Sequence, residues 1–346
     1  MRPVDHDAIT TVAELHLTAG GPMVAMSDGI NGLRLPLPFV LDHVNLWLLS
    51  DGDGWTLIDT GIDDEPTRSF WIKTLRNGLD GRPLKRVIAT HFHPDHMGLA
   101  GWLCGETGAQ LWTTRTEWLL GRSLANDLSD AFAEAGRLFD QRAGLDAEQI
   151  TARAKRGNLY RTRASAPASV YRRVVEGDEI VIDGEPWRVI IGRGHAPEMI
   201  CLYSEARRLL IAADHVLQKI SPNISVLASE PDGDPLHDYM TSFDPFRALP
   251  EDTLVLPSHG QPFYGLHARI DQLIGHHHQR LERTAEAVGD GGTALQVLPA
   301  LFERKLDAHQ LGFALGEALA HLNMLVFNGT LKRELDQDGV YRYSQA

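Results

Sequence analysis

The stretch His91-Phe92-His93-Pro94-Asp95-His96 places three histidines and one aspartate within six residues. It directly follows the β-like run RVIAT at 86–90, so it lies where a strand ends and a loop begins. In an extended segment, residues two apart face the same side, which lets His91 and His93 converge on one ion while Asp95 and His96 point toward a neighbouring position. Burying these polar groups without a cation would cost free energy, because each would need another partner. The stretch therefore predicts a metal site.

Three more potential ligands each follow a β-like run later in the chain. His195 comes after WRVIIGRG, Asp214 after RRLLIAA and His259 after TLVLPS. Open α/β folds present the ends of their strands at one edge, and ligand sites usually form there. We therefore expect these three side chains to join the first cluster.

This series of motifs resembles that of the metallo-β-lactamase superfamily. From about Asn31 to Gly265, THFHPDHMG matches the family signature H-x-H-x-D-H, and LIDTG, GRGHAPE, AAD and PSHG match its other motifs in order. The resemblance implies an α/β fold, the αββα sandwich, in which two mixed sheets pack face to face with helices outside. It also implies two sets of metal ligands joined by a bridging aspartate: His91, His93 and His195 for one metal, Asp95, His96 and His259 for the other, and Asp214 between them.

Two further acidic residues lie within these motifs. By the resemblance, Asp59 of LIDTG occupies the position of a carboxylate that can orient a ligand histidine, and a simple turn residue before Gly61 is the alternative. Glu198 ends the segment GHAPE, where many relatives have Gly-His-Thr-Pro-Gly. Its carboxylate either supports a ligand, faces the substrate or is a solvated loop charge. The second histidine, His93, separates the chain from the diiron flavoprotein branch, which has a glutamate there.

The segments around these motifs alternate between predicted strands and predicted helices. Two β-like runs joined by a Gly/Asp turn fill 38–61, and a helix is predicted over 66–80 with Gly81 just past its end. Strand patterns return at 170–216, and 254–260 is the last strand-to-loop step. Alternation of this kind is typical of a mixed sheet covered by helices.

Two regions depart from this alternation of strands and helices and are predicted to be mainly helical. Residues 113–165 are rich in Ala, Leu, Arg and Glu and predict a helical insertion. Past residue 265, helices are predicted over Leu266–Glu286 and Ala308–Leu335, followed by VYRYS, an order similar to the small winged-helix appendage of one branch of the superfamily. We predict a catalytic domain over 1–265 and a mostly helical, winged-helix-like domain over 266–346.

The C-terminal region contains two further features. His276, His277 and His278 are consecutive, and successive residues of a helix point about 100° apart, so they cannot share one ion. We interpret them as surface or inter-domain histidines. The apolar segment GFALGEALAHLNMLVF at 312–327 could serve a homodimer contact as readily as a contact within the domain.

Composition limits the location and the partners of the chain. Its 346 residues contain two cysteines and have a net charge of −13, which argues against a disulfide framework and against a generally basic surface. The first thirty residues have no apolar run long enough for a signal sequence, and no stretch shows the apolar length of a membrane span. We expect a soluble, cytoplasmic protein with no membrane partner.

The metal site predicts hydrolysis. Two divalent ions roughly 3.5 to 4 Å apart lower the pKa of a shared water and polarise a carbonyl oxygen. We expect the bridging hydroxide to attack a carbonyl carbon, with a protonated Asp95 or one metal assisting the leaving group. Mixed His/Asp ligation suits Zn²⁺ best, and iron or manganese could use the same groups. The expected reaction is hydrolysis of a small ester, thioester or lactone.

The alternative function is that of a single-stranded RNA endonuclease of the same superfamily. Between 153 and 173 there are seven Lys/Arg and no Asp/Glu, with Tyr160 and Tyr171 interleaved, which is typical of a backbone-binding stripe. The stripe could equally bind an acidic small molecule. Residues 261–346 contain eight Lys/Arg against ten Asp/Glu, which disfavours DNA binding by this region. A β-lactam hydrolase and an iron-dependent sulfur dioxygenase are less favoured.

Substrate selection is expected outside the ligand motifs. The loop-like segment 215–234 begins beside Asp214, so Lys219, Asn223 and Ser225 are candidates for lining the pocket. The helical insertion is the other candidate region.

Overall fold

Two mixed β-sheets form the centre of the fold in the computed structural model, which describes residues 9–303, 305–307 and 310–346. The first sheet follows the chain order. Its described strands are β2 (Val24–Ser27), β3 (Ile30–Pro36), β4 (His43–Asp51), β5 (Gly54–Ile58), β6 (Leu84–Ile88), β7 (Gln110–Thr113) and β8 (Tyr171–Arg173). Neighbours from β2 to β5 pair antiparallel, and neighbours from β5 to β8 pair parallel.

The second sheet is built mainly from the later part of the chain. Its described strands are β1 (Thr10–Thr11), β9 (Glu179–Ile182), β10 (Glu185–Gly192), β11 (Met199–Ser204), β12 (Leu209–Ala213), β13 (Leu254–Pro257) and β14 (Phe263–Tyr264). Their spatial order is β1-β14-β13-β12-β11-β10-β9, and only β12 and β13 pair parallel among these described neighbours.

The strands bury both faces, and alternate residues enter different hydrophobic layers. In β4, Trp47 and Leu49 lie in the layer between the sheets, whereas Leu46 and Leu48 face the helices that cover the first sheet. In β12, Leu209 and Ile211 point inward in the same way, while the alternate residues face the helices on the other side. Three apolar layers therefore separate four layers of secondary structure, and the expected αββα sandwich is confirmed.

Helices cover the first sheet and form the insertion. The helix predicted over 66–80 is α1 (Glu65–Asn77); the Asp64 carboxylate caps its start by accepting from Thr67 N at 2.9 Å, and Gly78 rather than Gly81 ends it. The next two helices in the chain are α2 (Pro94–Met97) and α3 (Ala100–Thr107). The predicted insertion lies between β7 and β8 and contains α4 (Arg115–Asn126), α5 (Asp130–Arg142) and α6 (Ala147–Ala154).

The C-terminal region packs onto the second sheet. The helices on this side of the described chain are α7 (Pro235–Thr241), α8 (Asp244–Arg247), α9 (Leu266–Val288), α10 (Ala294–Leu301) and α11 (Gln310–Phe327). Val255 of the sheet, Leu273 of α9 and Leu315 of α11 belong to one continuous hydrophobic cluster. By length and composition α11 could cross a membrane, but 61% of it is buried inside the protein, as in a helix of the core.

One predicted helix is partly wrong. The segment expected to be helical over Ala308–Leu335 is α11 only to Phe327, and residues 331–335 form the strand β15 (Leu331–Leu335), which pairs antiparallel with β16 (Tyr341–Gln345). Gly329 adopts a φ of 79°, which a glycine tolerates and a helix does not, so the chain turns there. Ala308 itself lies outside the described residues. The order of three helices and a hairpin agrees with the expected appendage, but its winged-helix assignment and the domain boundary at 265 stay predictions.

Candidate metal centre

The predicted ligands meet at one edge of the sandwich, where strands of both sheets end. His91 follows β6 and His96 lies in α2, both on the side of the first sheet. His195 follows β10, Asp214 directly follows β12, and His259 comes two residues after β13, the parallel neighbour of β12. Strand ends of two sheets thus supply one site, as the sequence pattern predicts.

Three histidine nitrogens form one compact group. His91 Nε2 lies 3.0 Å from His93 Nδ1, which lies 2.9 Å from His195 Nε2, and the two Nε2 atoms of His91 and His195 are 3.3 Å apart. Ligand nitrogens about 2.0–2.1 Å from a tetrahedral Zn²⁺ are separated by about 3.3 Å. The spacing of this group therefore fits one metal ion.

A second group lies beside the first. His96 Nε2 is 3.4 Å from an Asp95 carboxylate oxygen, and His259 Nε2 is 3.5 Å from the same oxygen. The three atoms come from α2 and from the loop after β13, and they also lie close enough together to hold a metal.

Asp214 stands between the two groups. Its Oδ2 is 3.3 Å from His195 Nε2 and 3.3 Å from His259 Nε2, while its Oδ1 faces His96 Nε2 at 3.6 Å. Both Asp214 Oδ1 and His96 Nε2 are buried and lack a hydrogen-bond partner in the described structure. Unpaired buried polar atoms are costly, and a bound cation would satisfy both. The donor set therefore fits the metal ions implied by the sequence.

Asp59, which directly follows β5, orients the imidazole of His96 and, through Thr90, that of His91. The resemblance implies such a carboxylate. Asp59 is 1% exposed; its Oδ1 accepts from Thr90 N at 2.8 Å, and its Oδ2 accepts from His96 Nδ1 at 2.8 Å and from the Thr90 hydroxyl at 2.9 Å. Because the Thr90 hydroxyl donates to Asp59, it accepts from His91 Nδ1, 3.0 Å away. Both histidines thus direct Nδ1 to an oxygen acceptor and turn Nε2 toward the site, which is the orientation that metal ligation requires.

Main-chain carbonyls orient two other histidines in the same way. His195 Nδ1 donates to the carbonyl oxygen of Asn223 at 2.8 Å, and His259 Nδ1 donates to that of His43 at 2.7 Å. A carbonyl oxygen only accepts, so Nδ1 of each ring is the donor and Nε2 is the nitrogen that faces the site. Four histidines therefore have the ring orientation that metal ligation requires.

The electrostatics of the two groups differ. Burial lowers the pKa of His93 to about 3, and burial together with the neighbouring histidines holds the pKa of His91 far below its usual value. Burial also lowers the pKa of His96, but the carboxylates of Asp95, Asp214 and Asp59 outweigh it and raise that pKa well above its usual value. His91 and His93 of the first group are therefore neutral and can bind a metal, whereas His96 of the second group is already paired with carboxylates.

Asp59 and Ala213 have unusual backbone conformations. Asp59 has a φ of 63° and Ala213, immediately before Asp214, has a φ of 46°. The left-handed region costs a residue with a side chain about 1 kcal/mol or more, so such residues persist only where the surroundings impose them. Both lie where a buried strand turns sharply to present a side chain to the site.

The other candidate residues do not all face the ligands. The Glu198 carboxylate accepts from Thr116 N at 3.2 Å at the start of α4, so it supports the insertion rather than standing free in the loop. Asn223 and Ser225 direct their side chains toward α11: Asn223 Nδ2 donates to Glu317 at 3.2 Å, and the Ser225 hydroxyl donates to Asn223 Oδ1 at 2.5 Å. Lys219 is exposed. A substrate contact by any of these residues stays a prediction.

Sequence reasoning missed Glu117 and assigned Tyr160 a different role, in the candidate backbone-binding stripe. The carboxylate of Glu117 accepts from Phe92 N and Glu198 N, and the Tyr160 hydroxyl donates to the carbonyl oxygen of Phe92 at 2.6 Å. Glu117 lies within an ordinary amphipathic helix pattern, and glutamate is usually exposed in such a helix. No feature of the sequence distinguishes it from the surface glutamates of the same insertion.

Family models match most of the chain. Residues 40–259 match the metallo-beta-lactamase superfamily, and residues 281–346 match a metallo-beta-lactamase-like, C-terminal domain. The first match contains the described ligands from His91 to His259, and the second covers α10, α11, the β15–β16 hairpin and the end of α9.

Similar proteins span nearly the whole chain. A crystal structure of a beta-lactamase domain protein from Burkholderia ambifaria is 42% identical, covers 98% of each chain and superposes with a TM-score of 0.89. A metallo-beta-lactamase family protein from Thermus thermophilus is 28% identical, covers 93% of this chain and 100% of its own, and has a TM-score of 0.79. A probable metallo-hydrolase of Bacillus subtilis is 27% identical over 86% of this chain and 92% of its own length. Together with the donor set at the strand ends, these matches show that the chain belongs to the metallo-beta-lactamase superfamily and is a metal-dependent hydrolase.

Proposed function

We propose that the chain is a binuclear hydrolase that cleaves a small ester, thioester or lactone. The observation that carries the proposal is the arrangement of seven donor side chains in two groups that share Asp214. Its Oδ2 is equidistant from His195 Nε2 and His259 Nε2, at 3.3 Å. A carboxylate in this position suits a ligand shared by two ions.

Zn²⁺ is the metal that the ligand types favour. Imidazole and carboxylate are both common zinc ligands, while iron and manganese also accept this mixture. When bound, two such ions supply an activated water and a Lewis acid for a carbonyl oxygen.

Asp95 is the proposed proton carrier. Burial raises its pKa, but His96 and His259 outweigh burial and hold that pKa below its usual value, so Asp95 is a carboxylate in the resting protein. Its side chain is 19% exposed, against 7% for Asp214, so it is the more accessible carboxylate of the site. We propose that Asp95 takes the proton of the attacking water and then gives it to the leaving group. Asp95 thus begins as a base, and the protonated form expected from the sequence arises only during the reaction.

An apolar cluster beside His93 supports a substrate with an apolar part. Phe92 has its ring 4.5 Å from that of His93 and packs with Leu120 and Leu124 of the insertion and with Leu227 of the 215–234 loop. The three leucines are only partly buried. Both regions expected to select the substrate therefore bring apolar surface to the metal motif, which favours an acyl group over a phosphodiester.

The basic stretch does not favour the nuclease alternative. Arg153 is paired with the buried carboxylate of Asp140 at 2.7 Å, and Arg161 Nε donates to the carbonyl oxygen of Ala125 at 3.0 Å. Arg172 lies on strand β8 with its guanidinium over the ring of Trp112. These cations serve internal contacts on different elements, whereas a phosphate-binding stripe needs them together on one face.

A substrate panel on protein of measured metal content tests the proposal. We expect turnover of activated thioesters, esters or lactones by the metal-loaded protein and at least a 100-fold loss in His93→Ala. His278→Ala is the matched control, because His278 is exposed on α9. Cleavage of single-stranded RNA that falls steeply with salt, without turnover of the acyl compounds, would show the nuclease alternative to be correct. Full acyl hydrolysis by His93→Ala would refute the site.

A further inference from the structure

The three-histidine group joins two loops that come from different sheets. His91 and His93 follow β6 of the first sheet, and His195 follows β10 of the second. Their ring nitrogens lie 2.9–3.3 Å apart, so a small change in the separation of the loops would alter the group. Some contact must fix that separation.

Glu117 makes such a contact. Its Oε2 accepts from the main-chain N–H of Phe92 at 2.9 Å, and its Oε1 accepts from the main-chain N–H of Glu198 at 2.7 Å. Phe92 stands between His91 and His93, and Glu198 is three residues past His195. The side chain is 0% exposed, so the two loops meet across one buried carboxylate whose oxygens are both occupied.

Helix α4 is anchored firmly enough to hold that carboxylate in place. The Thr114 hydroxyl donates to the carbonyl oxygen of Glu198 at 3.0 Å, which ties the start of the helix to the same loop. One turn after Glu117, the helix passes so close to α2 that a Cβ on Gly121 would lie 2.6 Å from Met97 Sδ. The helix thus touches both loops and cannot shift without disturbing them.

We propose that Glu117 is a positioning residue that sets the geometry of the three-histidine metal site. This inference rests on the proposed metal centre. Burial raises the pKa of Glu117 to about 7; above that pH the ionised carboxylate accepts through both oxygens, whereas glutamine has one oxygen and an NH₂ group that cannot accept from an amide. In Glu117→Gln one of the two loops therefore loses its partner and the other keeps it.

The effect should be confined to one metal. The second group is held by other contacts: His96 by Asp59, and His259 by the carbonyl oxygen of His43. Neither contact involves α4. Loss of the Glu117 bridge should therefore weaken one metal equivalent and spare the other, which a general loosening of the fold would not do.

The test is a Zn²⁺ titration of metal-free protein against a chromophoric chelator. We expect the wild type to bind two equivalents, and Glu117→Gln to bind one of them at least tenfold more weakly, with the other unchanged. In a His93→Ala background, Glu117→Gln should have no further effect, because the site that it supports is already lost. Glu134→Gln is the matched control: its carboxylate is exposed in the same insertion and pairs with Arg137 of the same helix.

The possible outcomes separate the two proposals. Unchanged affinities in Glu117→Gln, or equal weakening of both equivalents, would overturn the positioning role. Failure of the wild type to bind two equivalents would instead contradict the proposed binuclear centre. If Glu117→Gln does not fold, Glu117→Asp takes its place, since it keeps the carboxylate but shortens the side chain by one methylene, so the two oxygens cannot reach both N–H groups; we expect it to weaken the same equivalent about fivefold, and no change would overturn the proposal.

Discussion

The carbonyl oxygen of Asn223 accepts a hydrogen bond from His195 Nδ1 at 2.8 Å, and the side chain of Asn223 reaches in the opposite direction to Glu317 of α11 at 3.2 Å. One residue therefore connects a proposed metal ligand with the C-terminal region. The family model for that region begins at residue 281 and is separate from the model that contains the ligands. Through Asn223, the region nevertheless supports a proposed metal ligand.

Gly316→Ala should disturb this connection. A Cβ at Gly316 would lie 2.8 Å from Ser225 Cβ and Oγ, so the segment that contains Asn223 would have to move away from α11. We expect the affinity for one metal equivalent to fall about tenfold, because contacts that orient a ligand contribute on that scale. A chelator-competition titration measures it. Gly136→Ala is the control, since nothing lies within 4 Å of its added Cβ; equal affinities in both variants would contradict the connection.

Asp59→Asn should weaken both metal groups, because Asp59 orients His96 directly and His91 through Thr90. The carboxylate of Asp59 holds His96 Nδ1 and both polar groups of Thr90, and asparagine keeps only one acceptor oxygen for them. We expect a 10- to 100-fold loss of metal affinity, measured by the same titration. Asp53→Asn removes an exposed carboxylate near the far end of β5 and should leave binding unchanged. Wild-type affinity in Asp59→Asn would show that His96 does not need this support.

The ligand set could be predicted from sequence because each member is tied to a strand end. His91, His195, Asp214 and His259 each follow an apolar run, and the ends of such runs converge whatever the details of the loops. The same reasoning predicts the insertion, because the pattern of 113–165 is strongly helical. Asp59 comes from the resemblance to the family, on the match of LIDTG to one of its motifs.

The contacts around the ligands could not be predicted. Glu117 and Glu317 are glutamates of amphipathic or apolar helices, and burial of such a charge depends on partners that are distant in the chain. Asn223 acts through its main-chain oxygen, which any residue possesses. The boundary between α11 and β15 was missed because helical periodicity continues through Leu331, and only Asn328-Gly329 marks the turn.

Arg280→Met should destabilise the fold. Arg280 Nη2 lies 2.9 Å from the Glu317 carboxylate, whose side chain is 9% exposed, so the substitution leaves a buried charge without its ion-pair partner. We expect the free energy of unfolding to fall by about 3 to 5 kcal/mol in urea denaturation. The double variant Arg280→Met/Glu317→Gln should recover part of that loss. A double variant as unstable as the sum of both single variants would contradict the pairing.

His277 should make the fold sensitive to acid. It is 0% exposed beside Tyr239 and His321, and burial, with His321, His276 and Arg280 nearby, lowers its pKa to about 2 from 6.5. The unfolded chain takes up this proton at a higher pH than the folded one. The stability that the neutral ring contributes is therefore present above pH 6.5 and is lost as the pH falls toward the folded pKa.

The matching measurement compares denaturation at two pH values. Between pH 7 and pH 5 this single group should cost about 2 kcal/mol, so His277→Leu should lose that much less stability than the wild type over this range. His278→Leu, its exposed neighbour, should follow the wild type. Identical pH slopes in His277→Leu and the wild type would mean that the pKa of His277 is the same in the folded and the unfolded chain and would contradict the lowered pKa.

Two metal ions held by seven side chains are the centre of the proposed enzyme. In the wild type, the two oxygens of the Asp214 carboxylate face both groups. The most direct test is the number of Zn²⁺ equivalents bound per chain by the wild type and by Asp214→Asn. We predict two equivalents in the wild type and a loss of affinity for both in Asp214→Asn, since this residue alone among the seven is shared. One equivalent or none in the wild type, or two equivalents bound with undiminished affinity by Asp214→Asn, would contradict a centre bridged by Asp214.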